Sequence, residues 1–167
     1  MRTMFPLVAA VLVACAPKVE ESALEGPGVD EAGRIAVDAE ELLVGLTHLQ
    51  VRNAPKPGKR FGELASSVGG GLFEDEPEGW VGAAFRSEGK LEQWTMTVWE
   101  SEEALMAFVV SERHAAAMAE FGDVAVGGET RSLWLPTGEL PLTWERAMQL
   151  LEEEPDVVLG DSRWYED

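Results

Sequence analysis

Cysteine is nearly absent: Cys15 is the only one in 167 residues. A lone thiol excludes an internal disulfide and a cysteine-based zinc site. Histidine is almost as scarce, with only His48 and His114, so few catalytic triads can be assembled and no local spacing brings three metal ligands together. Basic residues are outnumbered 13 to 31, for a net charge of -18. Such a surface repels a polyanion instead of releasing its counterions, which removes nucleic acid as a partner. No Gly-x-Ser-x-Gly turn is present, and no Gly-Lys-Ser follows the run Gly69-Gly70-Gly71, so hydrolase and phosphate-loop readings lose their motifs. An apolar run of the roughly 20 residues that span a bilayer is also missing; the longest, Met4 to Ala16, is interrupted by Pro6.

What is present is ordinary in bulk. Apolar residues make up 46% and charged residues 26%, as in globular domains generally, and the length suits one core. Residues 1–14 begin with Arg2, continue through an apolar stretch from Leu7 to Val13 and end in small residues, the pattern of an export signal. Leu12-Val13-Ala14-Cys15 resembles the lipobox of bacterial lipoproteins, in which the cysteine becomes the first mature residue and carries lipid. The resemblance implies a protein anchored to a membrane through Cys15. Ala16 follows in place of the aspartate that retains such proteins at the inner membrane, which implies the outer membrane or periplasm in a Gram-negative cell.

Residues 15–41 read as an acidic spacer. Glu20, Glu21, Glu25, Asp30, Glu31, Asp38, Glu40 and Glu41 face only Lys18 and Arg34, with Gly26-Pro27-Gly28 in the middle and no aromatic ring, too little apolar area to offset the entropy of ordering. Residues 153–167 read as an acidic tail in which Arg163 is the opposing charge and Trp164-Tyr165 could still dock. Between them lies one domain, residues 42–152. Leu42 to Arg52 alternates as a strand with Leu46, His48, Gln50 and Arg52 on one face. Lys59 to Val68 suits a short helix, after breaks at Pro55 and Pro57, that Gly69-Gly70-Gly71 terminates. Gly79–Ser87 and Leu91–Trp99 form a hairpin around Glu88-Gly89.

Ser101 is an N-cap followed by Glu102 and Glu103, where a helix dipole favours negative charge. The stripe Leu105, Phe108 and Val109 continues, past a kink near Ser111, through His114, Met118 and Phe121. A strand from Glu129 to Leu135 follows the Gly127-Gly128 break, and Leu142 to Glu153 makes a last helix. The order predicts an α+β fold of ferredoxin-like split βαβ type with an appended helix: an antiparallel sheet, helices gathered on one face. The other face is then bare, and a two-fold homodimer through the strands around His48 and Thr97 would cover it.

The run Trp94-Thr95-Met96-Thr97-Val98-Trp99-Glu100-Ser101-Glu102-Glu103-Ala104-Leu105, with Phe108 and His114 beyond it, resembles the antibiotic-biosynthesis-monooxygenase-like superfamily of dimeric α/β barrels, whose members carry a phenylalanine or tryptophan and then a histidine on the helix after a Trp-Glu-Ser strand end. Leu140-Pro141-Leu142-Thr143-Trp144-Glu145-Arg146-Ala147 resembles the end of uncharacterised members. The resemblance implies a dimeric barrel and, as precedents, cofactor-free quinol monooxygenases and haem-degrading monooxygenases. An ungapped match from Trp99 places Thr47, Phe108 and Met118 where the haem-degrading branch has asparagine, tryptophan and histidine. All three differ, so haem is the lesser expectation and no cofactor the leading one.

The residues themselves leave alternatives open. His114 is either a pocket residue or a cap on the helix kink, and His48 either lines a barrel interior or sits in a sheet interface. The expected pocket for a small hydrophobic or aromatic ligand comprises His48, Trp99, Phe108 and Met118, with His114 as the catalytic group if there is chemistry. Two functions follow: a ligand-binding protein without catalysis, or a cofactor-free monooxygenase. Replacing Cys15 with alanine should move the protein from the membrane to the soluble fraction on ultracentrifugation, and unchanged partitioning would refute the anchor.

Overall fold

A computed structural model describes residues 17–160; the expected export signal, Cys15 and Trp164-Tyr165 lie outside them. The strand expected from Leu42 forms as β2 (Glu41–Val51) and occupies the middle of the sheet. With β1 (Val19–Glu21), β3 (Trp80–Glu88), β4 (Glu92–Trp99), β5 (Ala125–Pro136) and β6 (Val157–Gly160) it makes an antiparallel sheet of order β1-β3-β4-β2-β5-β6. The four inner strands with their two helical crossings are the ferredoxin-like split βαβ unit. The hairpin turn closes at Gly89, whose φ of 63° suits glycine. Gly127 and Gly128, expected to break the chain, instead lie inside β5, where Gly128 passes so close to β2 that a Cβ would stand 2.5 Å from the His48 carbonyl oxygen.

The first crossing is α1 (Pro55–Asp75), much longer than the helix expected at Lys59–Val68. Pro55 and Pro57 stand in its first turn, where a missing N–H costs nothing. The three glycines do not stop it. Each costs about 1 kcal/mol relative to alanine in a helix interior, but Gly71 gives room to Arg113, which a Cβ would meet at 2.8 Å. Arg113 donates to the Ser67 carbonyl at 3.2 Å and to Glu74 at 3.0 Å, so Gly71 lets the second crossing approach. That crossing is broken as the stripe implied, into α2 (Glu102–Val109), α3 (Glu112–Ala119) and α4 (Phe121–Val124). Ser101 caps α2 by accepting from the Ala104 N–H at 3.1 Å.

Alternation along β2 feeds two cores. Leu43 joins Trp80, Ala83, Trp99 and Leu72, closed by Leu105 and Phe108, on the face that carries α1 and α2. Leu42, Val44 and Leu46 join Met96, Val98 and Ala84 on the other. This second face is not bare. The last helix, α5 (Trp144–Glu153), lays Ala147, Leu150 and Leu151 against it. Arg131 holds the end of α5 by donating to the Leu150 carbonyl. His48 and Thr97 do not share a face either, because His48 lies opposite Trp94 whereas Thr97 lies opposite Gly45, one residue out of phase.

From residue 17 onward, the stretch expected as spacer is part of the fold. β1 pairs with β3, Glu25 exchanges backbone hydrogen bonds with Ala83, and the Gly28 N–H donates to the Val81 carbonyl at 2.9 Å. Leu24 is buried, and Val29, Ile35, Val37 and Ala39 pack on the α5 face. Its apolar residues follow no period because an irregular chain buries them. The segment expected as an acidic tail is likewise ordered to Gly160: β6 pairs with β5, and Asp156 accepts from the Ser132 N–H at 2.6 Å.

Because α5 covers this face, Leu151→Ala should cost about 2–4 kcal/mol of unfolding free energy, the range for a buried leucine. Urea denaturation would measure it, and a loss below about 0.5 kcal/mol would mean that the face is not packed by α5.

Candidate functional site

On the α1/α2 face three rings form a column. Trp99, at the end of β4, is fully buried. Its ring centroid lies 5.3 Å from that of Phe108 on α2, which lies 5.1 Å from that of His114 on α3. The column is brought together by the helix break, which turns α3 so that His114 reaches back toward α2. His114 Nδ1 lies 3.0 Å from the Val109 carbonyl oxygen. A carbonyl only accepts, so Nδ1 carries the hydrogen, and the neutral ring presents Nε2 as an acceptor. Burial pushes the His114 pKa down, outweighing the carbonyl that favours the charged form. At the other end, Trp99 Nε1 is a buried donor with no acceptor among the described residues.

The opposite face carries a different arrangement. Register aligns Glu129 (β5), His48 (β2), Trp94 (β4), Arg86 (β3) and Glu21 (β1) in one row across the sheet. His48 is 1% exposed and lies between two carboxylates, Nδ1 at 2.8 Å from Glu129 and Nε2 at 2.9 Å from Glu92. An ionised carboxylate only accepts, so a place between two of them favours the form of the ring in which both nitrogens carry hydrogens. It stacks on Trp94 at 4.6 Å, and the Arg86 guanidinium lies 5.5 Å from the Trp94 ring centroid and pairs with Glu21. Gln50 donates to Glu92 at 3.0 Å. Burial alone would push the His48 pKa down, but the bonds with Glu129 and Glu92 outweigh it and hold it above the ordinary histidine range.

Of the residues expected in one pocket, the structure brings together Trp99, Phe108 and His114. His48 is separated from them by the thickness of the sheet. Met118 is 44% exposed. Among the described residues no cluster of three or more histidine, cysteine or acidic side chains is arranged to hold a metal ion. A cavity between β2, β4 and α5 has a volume of about 10 Å³ and is lined by Leu46, Trp94, Trp144, Met148 and Leu151 among others, room for one water at most. Glu129, Glu92 and Arg86 escaped the sequence reading. Each lies on a strand whose alternation was visible, but nothing local says which residue of the next strand faces His48.

A scan against protein-family models finds no match, and no curated protein matches. Solved structures do. A variant of SnoaB, described as a cofactor-independent oxygenase from Streptomyces nogalater, is 11% identical, with 64% of this chain and 98% of that chain covered and a TM-score of 0.45. A candidate monooxygenase from Lactobacillus acidophilus is 10% identical, covering 59% and 49%, with a TM-score of 0.49. A candidate monooxygenase from Fusobacterium nucleatum is 13% identical, covering 58% and 44%, with a TM-score of 0.50. The chain spans about half the length of the latter two. These are likenesses of fold, and the ferredoxin-like α+β architecture is common to them.

The two histidines should respond oppositely to pH. A raised folded pKa gives His48 a stabilising contribution that is complete below the unfolded value of about 6.5 and is lost as pH rises through the folded value. A lowered one gives His114 a contribution that is complete above about 6.5 and declines as pH falls. Thermal midpoints compared between the wild type and His48→Gln, then His114→Gln, should diverge in those opposite directions from pH 5 to 9. Parallel curves would contradict both assignments.

Proposed function

We propose that this protein is a lipid-anchored domain of the cell envelope that binds a small aromatic ligand against Trp99, Phe108 and His114 without transforming it. The observation that carries the binding reading is the pair of polar atoms at the ends of an apolar column: Trp99 Nε1, a buried donor with no acceptor among the described residues, and the Nε2 acceptor left on His114 by its bond to Val109. An unmet buried donor costs about 1–3 kcal/mol, which a ligand oxygen would recover. A quinone or hydroxylated aromatic has both the flat apolar body and the complementary polar atoms. The rings fill their own space, so a ligand enters by moving Phe108. The break at Val110-Ser111 supplies the place for that movement, since Val110 is 70% exposed and the Ser111 side chain makes no capping bond. Cys15 and the residues before it support the envelope location.

His114 also favours a second reading. A neutral Nε2 beside an apolar column can take the proton of a phenolic ligand. Dioxygen can then attack the ring, delivering one atom as a carbonyl and leaving with the other as water, the ligand itself being the reductant. That reading implies no cofactor.

Titration of tryptophan fluorescence with a panel of quinones, quinols and haem separates these. Saturable quenching by a quinone, weakened about tenfold in His114→Ala as expected for one hydrogen bond of about 1.4 kcal/mol, supports the binding site. Oxygen uptake with a quinol that falls about 10²-fold or more in the same variant would replace it with the catalytic reading. A destabilised His114→Ala whose affinity is unchanged would reduce His114 to a cap on the helix break and overturn both.

A further inference from the structure

A second indole on the helix face has an unmet donor. Trp80 Nε1, like Trp99 Nε1, is buried without an acceptor among the described residues. The two tryptophans stand opposite each other on the β3/β4 ladder and share one apolar cluster. An irregularity makes them neighbours. The register of β3 against β4 shifts between Trp80 and Gly82. Strict alternation back from Ala83, which lies under the helices, would put Val81 there and Trp80 under α5. The extra residue reverses them, so Val81 joins the α5 core and Trp80 joins Trp99. The side chains packed around the pair, Leu72, Ala83, Ala104, Leu105 and Phe108, carry no polar atom. Neither does Phe73, which meets Trp80 edge-on with ring centroids 5.1 Å apart. Two buried donors left unmet in one cluster oppose folding, and the bulge that pairs them adds the second.

We infer that Trp80 is a specificity-determining residue: Trp80 and Trp99 together receive two acceptor oxygens carried on neighbouring carbons of the ligand, and His114 accepts from a hydroxyl at the ligand's opposite end. This rests on the aromatic-ligand reading and narrows it to one pattern of oxygens. Side chains opposite each other on a ladder stand about 4.5–5.5 Å apart at Cβ, so both indoles border the same end of the column. An indole N–H donates and cannot accept, so that end asks for acceptors alone. The other end carries the Nε2 acceptor of His114, which a carbonyl oxygen would face acceptor to acceptor. A 1,4-quinone, with one carbonyl at each end, leaves one indole unmet and opposes His114. A 1,2-quinone sets both carbonyls before the indoles, and a hydroxyl on its far ring satisfies His114. Buried polar groups left unpaired by the wrong isomer are a strong means of rejecting it.

Calorimetric titration of the full chain with 1,2-naphthoquinone and 1,4-naphthoquinone, isomers of one composition, tests this. The 1,2 isomer should bind about tenfold more tightly, and Trp80→Phe should weaken it about tenfold, as for one lost hydrogen bond, while leaving the 1,4 isomer unchanged. A second measurement needs no variant: in the nuclear magnetic resonance spectrum of the wild type, the assigned indole N–H signals of Trp80 and Trp99 should both move to lower field with the 1,2 isomer. Equal affinity for the two isomers, or a Trp80 signal that stays in place while that of Trp99 moves, would overturn the part given to Trp80 and leave ligand binding at Trp99 standing. Saturable binding by neither isomer, with neither indole signal moving, would overturn the ligand site itself and the role of Trp80 with it.

Discussion

The pairing of β2 between β4 and β5 is the constraint on which everything else depends. Eight residues of β2 are matched to β4 and the whole strand to β5, so its side chains have no freedom but to alternate between two covered faces. One phase, Leu42, Val44 and Leu46, builds the core under α5; the other, beginning with Leu43, builds the core under α1 and α2. A slip of one residue would exchange the two sets and carry His48 into the apolar face beneath the helices. The buried His48 makes such a slip costly, because it would leave a polar ring away from Glu129 and Glu92.

The α5 face is apolar at one end and polar at the other, and the change takes place within single strands. Along β2 the α5 phase runs from Leu42 through Leu46 to His48 and Gln50, and along β4 from Val98 through Met96 to Trp94 and Glu92. Helix α5 and the N-terminal segment cover the apolar end. The chain carries its own cover for that part of the sheet. On the helix face the aromatic column remains the place where an apolar body and two polar atoms of opposite kind come close together.

The break between α2 and α3 links local sequence to the candidate site. Val110 and Ser111 end one helix and begin the next, and the carbonyl freed near the end of α2 is the one that His114 meets. The same contact orients the ring and sets its tautomer, while burial keeps it neutral, so capping and site formation share one interaction in this structure. That is why His114 could be read from the sequence both as a cap and as a pocket residue: helical spacing alone places it on the stripe, and only the turn of α3 shows what it bonds.

By itself the sequence determined what depends on near neighbours: the alternation of β2 and β4, the hairpin closed at Gly89, the Ser101 cap, the interruption near Ser111 and, from their order, the ferredoxin-like fold. It also placed Trp99, Phe108 and His114 within one helix-and-strand unit. Only the tertiary structure decided that Gly69-Gly70-Gly71 continue a helix, since the argument for continuation is the approach of Arg113 from 42 residues beyond Gly71. It alone decided that residues 17–40 are packed, because their few apolar side chains join the core that β2, β3, β4 and α5 share. It alone placed Glu129 and Glu92 on the two sides of His48. Strand register is fixed by the summed pairing of whole strands, and no residue near His48 in the chain carries that information.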